Sequence, residues 1–172
     1  MITSKNKNLE MNLKKTISQL NTSQDFTCEI KVSVYDINTK KYANVCENNL
    51  GWAASIIKVP VMVATLQEIE KGKLSLEEKL KTNHKFMLEE YDYVSKLPDN
   101  SDIRVLNLLY HMIAHSDNEA TNILADRVGI EKINKMMLNL GMKNSMLGHL
   151  LCPAVPRYTS KFNLDGSNVT SS

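Results

Sequence analysis

Apolar and polar residues alternate from Phe26 to Tyr35. Phe26, Cys28, Ile30, Val32 and Val34 fall on one face, and Thr27, Glu29, Lys31, Ser33 and Tyr35 on the other. A period of two marks a half-buried strand. Asp36-Ile37-Asn38-Thr39-Lys40 then reads as a turn, and Lys41–Val45 as the return strand of a hairpin. Upstream, Leu13, Ile17 and Leu20 recur at helical spacing and predict an amphipathic helix over about residues 9–20. Beyond the hairpin the pattern changes. Ile56–Ile69 is apolar on nearly every side (Ile57, Val61, Met62, Val63, Leu66 among others), which predicts a helix buried all round. Pro60 has no N–H and is best tolerated in a first helical turn, so Ser55 is expected at or just before the helix start. Gly72 is a plausible stop, with Leu74–Glu78 opening a short further element. Asp99-Asn100-Ser101-Asp102 offers N-cap chemistry for a helix over about 102–114. Two more helices follow over about 119–128 and 130–140, closed by Gly129 and Gly141. From Gly148 onward helix signals fade into Pro, Ser, Thr and Asn.

These elements predict one α+β domain over residues 1–172: an N-terminal helix and hairpin of an antiparallel sheet over 9–47, and a mainly helical region over 52–172. A chain of 172 residues with 42% apolar and 23% charged content can build one real core. The balance of 21 basic and 19 acidic residues gives a net charge of +2 with lysines scattered, which gives nucleic-acid binding no support. No stretch reaches the roughly 18 apolar residues of a membrane span. Met1–Asn8 is charged without an apolar h-region, so no signal peptide is visible. His84, His111, His115 and His149 show no metal spacing, and His115 reads as packing. Cys28, Cys46 and Cys152 show none either. Cys28, in phase with apolar strand positions, reads as a small buried hydrophobe, and a Cys28–Cys46 disulfide stays open if the strands pair closely. No metal or organic cofactor is implied.

Chemistry concentrates in two short stretches. Ser55-Ile56-Ile57-Lys58 places a lysine one turn after a serine, on the same face. A hydroxyl needs a base before it becomes a useful nucleophile. A lysine screened from water is neutral more readily and can serve as that base. The positive end of a helix would further favour negative charge developing at Ser55. The bland alternative is a capped helix start with a snorkelling lysine. Ser116-Asp117-Asn118, at a junction between two predicted helices, supplies a second hydroxyl and an amide with both donor and acceptor. Ser116 and Asn118 also read as caps for the helix that follows.

Together, Ala53-Ala54-Ser55-Ile56-Ile57-Lys58-Val59-Pro60 and His115-Ser116-Asp117-Asn118-Glu119-Ala120-Thr121-Asn122 resemble the class A β-lactamases and the related D,D-peptidases, the penicillin-binding proteins. The resemblance runs from about Asn8 to the last residue. It implies a β-lactamase/transpeptidase-like fold and a serine hydrolase that forms an acyl-enzyme with β-lactams or peptidoglycan-like peptides. Ser55 would be the nucleophile and Lys58 its base. Ser116 would pass a proton to the leaving nitrogen, and Asn118 would hold the substrate amide and the lysine. Asp117 would brace the loop, with Thr121 and Asn122 at the helix surface or in support. Tyr91, about 25 residues before Ser116, stands where family members place an aromatic wall, with Tyr93 an equal candidate. A cell-envelope location follows from the resemblance, since cell-wall substrates lie outside the membrane.

Two departures qualify it. Class A enzymes carry a glutamate about 35 residues beyond the S-D-N that activates the deacylating water. Counting forward from Ser116 reaches Leu151-Cys152, and the only carboxylate side chain after Glu131 is Asp165. The sequence also stops before a Lys-Thr-Gly-type strand, which in the family binds the substrate carboxylate and supplies one oxyanion-hole N–H. Losing such a donor costs on the order of 100- to 1,000-fold in rate. A truncated chain with an incomplete sheet and an unpaired hairpin edge is therefore expected. A non-catalytic penicillin-binding or sensory module that keeps the fold is the competing reading.

Overall fold

Asp36 makes the hairpin. Its carboxylate accepts from the Asn38 and Thr39 N–H groups (2.9 and 3.2 Å) and from the Thr39 hydroxyl (2.6 Å), while Lys40 takes φ +57°. That turn joins β2 (Val32–Asp36) to β3 (Lys41–Val45) in antiparallel register, Val32 opposite Val45 and Asp36 opposite Lys41. The computed structural model describes residues 4–22, 29–83, 93–151 and 169–170. Two compact units emerge: Met1–Gly51 with Ser171–Ser172, and Trp52–Thr170.

In the first unit, α1 (Lys7–Thr22) packs on β3, whose Ala43 and Val45 are buried. The short β1 (Ser4–Lys5) lies parallel to β3, giving the order β1-β3-β2. The outer side of β3 thus carries two paired residues, where the sequence suggested an open edge. Strand β2 begins at Val32, because its partner ends at Val45, and the expected stretch Phe26–Cys28 lies outside the described residues. Cys46 there turns to φ +53° and leaves Glu29–Lys31 without a ladder. Cys46 is an exposed free thiol, so the Cys28–Cys46 disulfide is not formed. Cys28, Cys152 and His84 lie outside the described residues.

β4 (Gly51–Trp52) crosses into the second unit. A 3-10 turn (Ala54–Ile57) then leads directly into α2 (Lys58–Glu70), and β5 (Lys79–Lys81) follows. Next come a 3-10 turn at Val94–Lys96, β6 (Asp102–Arg104), α3 (Val105–Ala114), α4 (Asn118–Val128), α5 (Ile130–Asn139) and β7 (Val169–Thr170). Helix α4 packs on α2, α3 and α5. Ile57, Val61, Leu108, Met112, Leu124, Ile133 and Met137 form the centre of this core. Gly129 (φ +96°) permits the reversal from α4 into α5, a backbone region that costs other residues about 1–2 kcal/mol. Among the described residues no helix is long and apolar enough to cross a membrane.

Two expectations change. Asp102–Arg104 is a strand paired with β5, and α3 starts at Val105 without a side-chain cap. Its first-turn donors are met instead by backbone: Val105 N–H bonds the Glu78 carbonyl (2.9 Å) and Leu106 N–H the Leu76 carbonyl (3.0 Å). Ser55 lies just before the helix start, as expected, in the 3-10 turn that leads into α2. Helix α2 is not buried all round. Its Val59 and Leu66 are 49% and 44% exposed, as is Ile56 of the preceding 3-10 turn at 67%. Apolar content alone does not tell which face neighbouring elements cover.

Candidate active site

The i, i+3 spacing of Ser55 and Lys58 is realised by the 3-10 turn, so both side chains leave the same side of the chain. Ala54, just before Ser55, has φ +44°, a conformation unfavourable for a residue with a Cβ. Strain of this kind persists only where surroundings over-determine it. Lys58 is the most buried cation described, 2% exposed. Its Nζ donates to Asn118 Oδ1 (2.7 Å), to the Ser116 hydroxyl (2.9 Å) and to the Ser116 carbonyl, and reaches Ser55 Oγ at 3.4 Å. The two hydroxyl oxygens, Ser55 Oγ and Ser116 Oγ, are 2.8 Å apart.

The chain reaches that arrangement by a tight loop between α3 and α4. The His111 carbonyl ends α3 by accepting from both His115 N–H (3.1 Å) and Asp117 N–H (3.2 Å). Ser116 between them is forced to φ +58°. Asp117 then caps α4: its Oδ1 accepts from Ala120 N–H (2.8 Å) and its Oδ2 from Val94 N–H (2.9 Å), tying the 3-10 turn to the loop. Its carbonyl accepts from the Thr121 hydroxyl (2.6 Å). With both carboxylate oxygens engaged inside the protein, Asp117 is structural. Asn118 becomes the first residue of α4, aimed at Lys58.

Two further contacts border the site. Tyr93 stacks on His111 (ring centroids 4.1 Å apart, planes 9° apart), and Tyr110 meets the edges of His111 and His115. Burial pushes the His111 imidazole below its ordinary range, against the pull of Asp117. One turn beyond Asn118, the Asn122 side-chain amide grips the backbone of Leu151 on both sides, accepting from its N–H (2.6 Å) and donating to its carbonyl (2.8 Å). Leu151 packs against the core beside α4.

A model of the β-lactamase enzyme family matches residues 12–172. The chain belongs to that family. Its α+β fold is that of the β-lactamases and PBP-A: the structure of PBP-A superposes with a TM-score of 0.78 at 27% identity over 93% of this chain and 57% of PBP-A. A β-lactamase from Sphaerobacter thermophilus matches with a TM-score of 0.77 at 21% identity, over 94% of this chain and 57% of its own. In sequence, β-lactamase VEB-1 of Pseudomonas aeruginosa is 26% identical over 102 residues, 58% of this chain and 34% of VEB-1. The chain therefore spans less than two thirds of each of these relatives.

For this β-lactamase-family chain the structure brings Ser55, Lys58, Ser116 and Asn118 together, while Tyr91 lies outside the described residues. Tyr93 is half-exposed and turned onto His111. Thr121 and Asn122 are buried supports rather than surface. The Asn122–Leu151 clamp and the Asp117–Val94 tie were missed by sequence reasoning. The signal for the first was the i, i+4 spacing of Asn118 and Asn122, which puts both amides on one helix face.

Proposed function

We propose that this chain is a serine acyl-transfer protein that opens β-lactams, or D-Ala-D-Ala-type peptides, by forming an ester at Ser55. Ser55 attacks the carbonyl, Lys58 takes up its proton, Ser116 returns a proton to the leaving nitrogen, and Asn118 orients the substrate amide. The observation that carries this reading is a single one: a lysine removed from water whose nitrogen lies among two hydroxyls and an amide oxygen. A buried amine has that company where it must exchange protons with alcohols. A PBP-A mutant has been seen as an acyl-enzyme with penicillin G, and the likeness to PBP-A supports the same covalent step here.

The second half of the cycle is a different matter. Leu151 stands where the resemblance calls for a water-activating glutamate, and Asn122 pins its backbone there. A leucine cannot accept a proton from water, so the ester at Ser55 persists. This favours a D,D-peptidase-like or penicillin-binding role over a fast β-lactamase. It also keeps open a sensory module that bears the acyl group without turnover. Fluorescent penicillin followed by intact-mass analysis tests both steps. One adduct, mapped to Ser55 and stable for hours, is expected. No adduct, in this chain or in one extended to its relatives' length, defeats the proposal. Rapid turnover of a chromogenic cephalosporin eliminates the sensory reading.

A further inference from the structure

A closed circuit of contacts holds the Ser116 backbone. The Tyr93 ring lies flat on the His111 ring, with centroids 4.1 Å and planes 9° apart. Val94, the next residue, donates its N–H to Asp117 Oδ2 (2.9 Å), and Asp117 donates its own N–H to the His111 carbonyl (3.2 Å). Ser116 sits within that circuit at φ +58°, a conformation that a residue with a Cβ avoids unless its surroundings impose it. Of these four residues, only His111 has a side chain whose ordinary pKa lies near neutrality. Both ring nitrogens of an imidazolium must donate. The His111 Nδ1 is sealed from solvent and has no hydrogen-bond partner, so a charged ring would leave a buried donor unmet.

Resting on the reading of Ser116 and Asn118 as parts of an acyl-transfer site, we propose that His111 is a positioning residue. Its uncharged ring on Tyr93 latches the loop that presents Ser116 and Asn118, and protonation of that ring releases the latch. Among the described residues, the groups facing the ring are Tyr93 beside the 3-10 turn, Tyr110 and His115 from α3 and its end, and Asp117 from the loop. Burial, the largest influence, opposes a charge on the ring, Asp117 favours one, and His115 opposes it. The Tyr93 face offers a cation a modest attraction. The balance lies below the ordinary histidine range. An opened loop, with its imidazole in water, takes a proton at the ordinary pKa, and the latched loop only at lower pH. The latch therefore has its full strength above the ordinary pKa and weakens as pH falls below it.

Amide hydrogen exchange, corrected for its intrinsic pH dependence, reads latch opening at the Val94 and Asp117 N–H groups. Protection at both is expected to fall between about pH 8 and about pH 5, a window spanning the ordinary histidine pKa, while Leu124 in the core of α4 keeps its own. His111→Phe preserves a flat ring and cannot be protonated, so its protection at the two amides stays level over that window. His111→Ala removes the stack and lowers protection at every pH by roughly 2- to 10-fold, the worth of one aromatic pair. Parallel pH profiles for the native chain and His111→Phe overturn the latch. Labelling of Ser55 by fluorescent penicillin is the second readout: the native rate divided by that of His111→Phe falls as the protection falls. A constant ratio overturns the positioning role. No labelling at any pH, with a pH-dependent latch still seen in exchange, defeats the acyl-transfer reading and leaves the latch standing. Should His111→Phe not fold, the His111 ring proton resonance of the native chain decides, and titration at or above the ordinary histidine pKa refutes the latch.

Discussion

The two sides of helix α2 each hold residues that the usual assignment to core and surface would place elsewhere. Toward α4, Lys58 is 2% exposed and Thr65 fully buried. On the other side, Val59 and Leu66, seven residues apart on the helix, are 49% and 44% exposed. The difference is supply of partners. Lys58 has acceptors from Ser55, Ser116 and Asn118, and the Thr65 hydroxyl donates to the Val61 carbonyl at 2.8 Å. A polar group costs little to bury once its hydrogen bonds are replaced, and several kcal/mol when they are not. Nothing comparable forces an apolar side chain inward if no element lies over it. On the buried side of α2 a few directional bonds thus hold Lys58 and Thr65 among the apolar core residues Val61 and Ala64.

The largest effect comes from breaking the buried side at its centre. Lys58→Met keeps the length and apolar stem while removing the amine. Acylation of Ser55, followed with fluorescent penicillin, is expected to fall by about 100- to 10,000-fold, the range for a lost general base. The melting temperature is expected to move much less, because the cost of burying an amine disappears along with its bonds. A variant that unfolds while its folded fraction still labels at the native rate would make Lys58 a structural residue.

Next in size is Asp117, which holds the loop rather than the reaction. Asp117→Ala removes the α4 cap and leaves the buried Val94 N–H without its acceptor. A cap is worth about 1 kcal/mol and an orphaned buried donor about 1–3, so denaturant unfolding should show a loss of about 2–4 kcal/mol. Asp117→Asn retains one acceptor and should recover part of it. A loss below about 0.5 kcal/mol would mean that the loop is held by other contacts.

How much of this could be read from sequence depends on the range of each interaction. The hairpin turn and the return strand Lys41–Val45 were legible because Asp36 and Thr39 act on their own neighbours. Helices α4 and α5 were legible to within a residue, since Gly129 and Gly141 punctuate them locally. The meeting of Ser55, Lys58, Ser116 and Asn118 was expected from one-turn spacing and from family resemblance. Asp102–Arg104 was misread as helix because its partner strand is more than twenty residues away in sequence. For the same reason, no local pattern could reveal that Lys58 sits nearer Ser116 than Ser55, or that Asn122 holds Leu151. Both depend on α4 packing against α2, and such distances carry no local signature.

The smallest expected effect sharpens the contrast from the exposed side. Val59→Thr with Leu66→Gln makes this exposed side more polar. Substitutions at such exposed positions usually change stability by no more than about 0.5 kcal/mol each. Denaturant unfolding of the double variant should therefore overlay the native curve, although two apolar residues of the most hydrophobic helix predicted from sequence have been replaced. Exposed apolar surface also promotes association, so the variant should stay monodisperse to higher concentration in light scattering. A loss of about 2 kcal/mol or more would show that this side is packed in solution. Burial on α2 would then follow hydrophobicity after all, and the contrast with the Lys58 side would fail.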